Sequence, residues 1–154
     1  FLWGQKQEST ATWHGMFLSN GQPTEAVDVM HFCWSGEWPQ SRAPSIRNIL
    51  LENIGWRKDH ILSPSSKATL SIEFLKYNNK EVMVEYVLYP EAFSNKIGGD
   101  IQKSPDPINF EVVKQSENEL IFVTPRKKGA YRLFAFVKNK KGQSSVANIP
   151  FLVE

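Results

Sequence analysis

Ala68–Tyr89, ATLSIEFLKYNNKEVMVEYVLY, holds two runs of apolar-polar alternation around a polar break. In the first run Leu70, Ile72 and Phe74 fall on one face, with Thr69, Ser71 and Glu73 on the other; in the second Val82, Val84, Tyr86 and Leu88 form the apolar face. Successive strand side chains point to opposite faces, so this period of two predicts strands over Ala68–Lys76 and Glu81–Tyr89. Tyr77–Lys80 is a turn, and alternation across a hairpin-like break of this kind predicts antiparallel sheet with one buried face.

The same reading extends in both directions. Ile46–Asn53 is a strand upstream, and Ile108–Lys114, Glu119–Thr124, Ala130–Lys138 and Ser145–Val153 are strands downstream. Turns fall at Gln115–Asn118, Pro125–Gly129 and Asn139–Gly142, and a long Gly/Pro/Asp loop at Pro90–Pro107. Short strands at this regular spacing predict a mainly β fold, a seven-stranded antiparallel sandwich of two sheets.

The first part of the chain has a different texture. All five tryptophans and all three histidines lie within the first 60 residues, and Phe1–Phe17, FLWGQKQESTATWHGMF, opens as a buried strand would, with no leader before it. The chain is therefore expected to begin inside a larger fold. Phe1–Gly4 reads as the end of a strand and Gln5–Gly21 as a loop. Beyond Pro23 the residues Ala26, Val29, Met30, Cys33 and Trp34 recur at helical spacing, which predicts an amphipathic helix ending at Gly36 with that stripe packed inside. Pro23 suits its first turn and Glu25 and Asp28 complement its dipole. Pro39–Pro44, PQSRAP, disfavours helix on either side and divides the chain into residues 1–40 and 41–154.

Composition excludes several classes. A net charge of +2, with its basic residues scattered, is too weak to draw a polyanion, so nucleic acid is not an expected partner. Cys33 alone makes no internal disulfide, no His/Cys spacing suits zinc, and no cofactor is implied. No apolar run approaches the roughly 20 residues of a membrane span. Gly98 and Gly99 lack the Lys-Ser or Lys-Thr that a phosphate loop needs, and neither a nucleophile elbow nor a Cys/His pair for nucleophilic catalysis is present.

Gly129, Ala130 and Tyr131, followed by inward Leu133, Ala135 and Val137, place a tyrosine just inside a strand after a Pro/Gly corner. Here the sequence resembles fibronectin type III and immunoglobulin-like modules of bacterial surface enzymes, which implies that the Tyr131 hydroxyl bonds backbone upstream and that Tyr86 packs in the core. Phe1–Gly4, the Gln5–Trp13 loop and the Pro23–Gly36 helix resemble the last β/α unit of a TIM-barrel glycoside hydrolase of the β-galactosidase-like kind. By that resemblance residues 1–40 are a barrel remnant, Trp3 is a platform under a sugar ring, and Glu8, Trp13 and His14 line the same substrate site. The catalytic carboxylate pair would lie before Phe1, so the chain alone is expected to be inactive, with no catalytic residue of its own.

The resemblance further implies a secreted, periplasmic or cell-surface setting, with an oligo- or polysaccharide and the rest of the barrel as partners. Blander roles stand beside these: Glu8 in a loop salt bridge, His14 packed on an aromatic, Cys33 in the core, and Trp34, Trp38 and Trp56 joining the two parts of the chain. Two further functions compete with the hydrolase fragment. One is a glycan-binding sandwich using outward aromatics such as Tyr89, Phe134 and Phe136; the other is a plain spacer.

Overall fold

The computed structural model describes residues 15–18, 20–75, 82–91 and 105–154. Helix α1 (Glu25–Ser35) precedes the strands β1 (Ile46–Leu51), β2 (Ile54–Gly55), β3 (Ile61–Leu62), β4 (Lys67–Phe74) and β5 (Val82–Pro90). After them come β6 (Val112–Gln115), β7 (Glu119–Val123), β8 (Gly129–Asn139) and β9 (Ser144–Val153). One sheet has the order β2-β1-β4-β7-β6 and the other β3-β9-β8-β5. The chain is mainly β, and its two sheets share one core in a sandwich-like arrangement.

The alternating faces are buried as foreseen, with one difference in partnership. Leu70 and Ile72 of β4 and Leu88 of β5 lie in the same core as Leu120, Phe122, Leu133 and Ile149. Yet β4 pairs with β1 and β7, while β5 pairs with β8 in the opposite sheet. The two runs meet face to face across the core instead of edge to edge. An apolar face is buried equally well either way, so alternation alone does not choose between them.

A tight joint connects β1 to β2. Glu52 and Asn53 both have positive φ, 51° and 62°, in a two-residue turn that returns Ile54 to pair with Leu51. Turns with both central residues in this region match the natural twist of a hairpin. The chain then runs through Trp56, Arg57 and Lys58 into β3, which lies parallel to the end of β9.

Helix α1 corrects the expected barrel unit. Thr24 precedes it in extended conformation, and Gly36 ends it in the left-handed region with its N–H donating to the Phe32 carbonyl. The only buried residue of the helix is Asp28, at 5% exposure. Its Oδ2 accepts the Ala43 N–H at 2.6 Å. The apolar stripe faces outward instead: Val29 and Cys33 are exposed, and Trp34 is 71% exposed. A barrel helix would bury that stripe against its own strands, whereas α1 is held to the sandwich by its polar side. What the chain forms is a small mainly β unit with one short helix among its described residues.

Candidate docking site

The Thr24 side chain, free of any capping bond to α1, turns back and its hydroxyl is shared between the Gly15 and Met16 carbonyls at 3.1 and 3.0 Å. Ser45 donates to Glu25 Oε1, and the Ser145 hydroxyl donates to the Pro44 carbonyl. Gln143 and Asn139, in the turn between β8 and β9, hold Ser41 and Arg42. The helix entry and the Pro39–Pro44 linker are thereby fixed against the start of β9.

Along β9 the backbone leaves an open edge. The register with β8 runs unbroken from Ser144 to Val153. In an antiparallel pair the N–H and C=O of one residue point to the same side, and the side alternates with each residue. Ser144 N–H donates to the Pro23 carbonyl at 2.9 Å, and Leu152 N–H to the His60 carbonyl at 2.8 Å, both away from β8. The residues of the same parity between them therefore turn to that edge as well. Val146 and Asn148 direct N–H and C=O outward, and Pro150 its C=O, with no backbone partner among the described residues.

This edge lies in a hollow of about 670 Å³. Gly15, Thr24 and Glu25 close one end, β1 contributes Arg47, Asn48 and Ile49 opposite Ser145–Asn148, and Trp56 also lines it. Trp56, 59% exposed, also borders a second hollow of about 640 Å³ beside Pro150 and Leu152. There Arg132 Nε meets Glu91 Oε2 at 2.8 Å while its Nη1 donates to Asn148 Oδ1 at 2.7 Å. Arg57 lies over the Trp56 ring, 5.2 Å from its centroid. The arrangement offers unpaired main-chain donors and acceptors, an aromatic surface and fixed charges.

Trp3, Glu8, Trp13 and His14 lie outside the described residues. Tyr131 donates its hydroxyl to the Lys127 carbonyl at 2.7 Å. The Tyr86 hydroxyl is buried without a hydrogen-bond partner among the described residues, and burial, reinforced by Glu119, pushes its pKa up to about 12. Tyr89 is raised too, by burial first and then by Glu85. His31 Nδ1 lies 2.9 Å from the Glu37 carbonyl, at the exposed end of α1.

No protein-family model matches the chain, and no curated protein matches it. Among solved structures it is similar to PcoC, described as a methionine-rich copper resistance protein from Escherichia coli. The TM-score is 0.42 at 14% identity, with 73% of this chain and 99% of PcoC covered. Among the described residues no three His, Cys, Asp or Glu side chains are grouped to hold a metal ion, and no helix is long and apolar enough to cross a membrane.

The expectation of a glycoside hydrolase fragment is corrected by the fold: α1 packs on the sandwich by Asp28 with its stripe outward, not on barrel strands as a closing β/α unit. The glycan-binding alternative fails on its own residues. Phe134 points away from the shared core but is fully buried, with Tyr89 edge-on to it and Phe136 stacked on it, so it has no free face for a sugar. Periodicity did not single out Val146, Asn148 or Arg47, and Trp56 was expected to join the two parts of the chain in preference to stacking on glycan. The in-strand Pro150 was the available signal, since proline within a sheet is confined to edge strands, strand starts and bulges.

Proposed function

We propose that this chain is a β-sandwich docking module that receives an extended protein segment along the open edge of β9. The observation that carries it is the outward N–H and C=O of Val146 and Asn148, set in a hollow with Trp56 beside it. Strand addition of this kind draws affinity from main-chain hydrogen bonds and specificity from the side chains flanking the edge. The edge gives the module a use that a plain spacer lacks. The same reading takes the sandwich as immunoglobulin-like, supported by the Tyr131 bond to Lys127 after the β7–β8 corner.

The test is selection of a random heptapeptide library, displayed on phage, against the whole chain, followed by Val146→Pro. The substituted N–H points away from β8, so the sandwich should keep its circular dichroism and melting behaviour. Binders should be enriched on the parent chain and lost on Val146→Pro. No enrichment, or binders indifferent to this substitution in a folded variant, would refute docking at β9.

A further inference from the structure

Two observations on the same edge say what kind of segment enters it. The first is direction. At the start of the open stretch Thr24 is bridged to Ser144 in parallel, and at its end β3 pairs with β9 in parallel, Ile61 with Leu152 and Leu62 with Val153. Between them residues 145–151 leave roughly 23 Å of edge at about 3.3 Å per residue. A segment continuing that lane in the same direction meets the slanted bonding pattern that the flanking pairs already establish.

The second observation is charge. Glu25 lies at the Ser145 end, where Ser45 donates to its carboxylate. Arg47 stands on β1 across the hollow, and Arg57 and Lys58 succeed Trp56 toward the far end. The acidic groups there are Asp59 and Glu91, of which Glu91 is paired with Arg132. With Arg47, Arg57, Lys58 and Arg132 set against Asp59 and Glu91, positive charge prevails from the middle of the slot to its end. The slot is thus positive toward its far end.

Resting on the docking reading, we infer that the segment taken up is an acidic extended peptide that runs parallel to β9. Its N-terminal side lies near Glu25, and its carboxylate side chains come last, beside Arg57 and Lys58. An apolar or aromatic side chain in its C-terminal half covers Trp56.

Two capped synthetic heptapeptides test this on the intact chain. One has lysine first, then alternating valine and threonine, and two glutamates last; the other has the same residues in reverse order. Titration by fluorescence of the peptides' labels should show the first binding at least about fivefold more tightly, the range expected of a few solvent-exposed ion pairs. With Arg57→Glu and Lys58→Glu combined, that preference should fall to within about twofold. Equal binding, or preference for the reversed peptide, overturns the parallel acidic segment while leaving docking at β9 intact. If library peptides bind and neither synthetic one does, the inference also falls. An empty library selection is the separate result that removes the docking reading beneath it.

Discussion

Replacing Asp28 with alanine should show that polar contacts, the buried Asp28 acceptor foremost among them, and not the apolar stripe, hold α1 in place. Asp28 is 5% exposed, and its Oδ2 accepts the N–H of Ala43, itself buried, at 2.6 Å. A hydrogen bond to a charged group contributes about 1.5–3 kcal/mol, and a buried N–H left without its acceptor loses a similar amount. These are two descriptions of one loss, so the expected destabilisation is about 2 kcal/mol. For a chain of this size that corresponds to a fall in Tm of about 4–8 °C. Asp28→Asn keeps a carbonyl oxygen facing Ala43 and should lose less than about 1 kcal/mol. Trp34→Ser provides the contrast. Its ring is 71% exposed, and its removal should leave stability within about 0.5 kcal/mol. Urea denaturation followed by tryptophan fluorescence and circular dichroism measures all three. If Asp28→Ala is neutral while Trp34→Ser is strongly destabilising, the helix is attached by its apolar side and Asp28 is not its anchor.

Tyr86→Phe should stabilise the protein, by about 1 kcal/mol, because it removes a buried hydroxyl without a partner. The Tyr86 phenol ionises near pH 10 in the unfolded chain and at about 12 in the fold. Ionisation of this group therefore leaves stability unchanged below pH 10 and lowers it as the pH rises toward 12, and Tyr86→Phe should flatten that alkaline decline in denaturation midpoints. A decline unchanged by the substitution would assign it to other groups. Cys33 lies exposed on α1, so a thiol reagent should label it in the folded protein without denaturant. Labelling only after unfolding would place it inside.

The strands were legible because alternation leaves no other use for residues such as Leu70, Ile72 and Leu88 than a shared core. Which strands pair was not, since β4 and β5 satisfy the same pattern from opposite sheets. Helical spacing located α1 to within two residues at its start and one at its end, yet mistook its inner face. Periodicity measures where apolar side chains cluster; it says nothing of an acceptor such as Asp28 matched to an N–H fifteen residues away. The open edge of β9 was beyond reach for a related reason. It depends on Pro23 and His60 using the outward N–H groups of Ser144 and Leu152 and stopping there; Pro150 marks an edge strand, but no local signal says where those flanking partners stop.

Pro150 has a consequence for how the protein behaves at high concentration. It sits on β9 opposite Arg132, in the parity that faces the open edge, and it supplies no N–H there. An unpaired edge is ordinarily a template on which copies of a chain stack into open-ended sheets. Here the donors stop at Asn148, so a guest strand finds a short landing place and a longer stack finds its ladder interrupted. One imino acid thus shortens the donor ladder of the edge, a device by which edge strands are blunted against stacking.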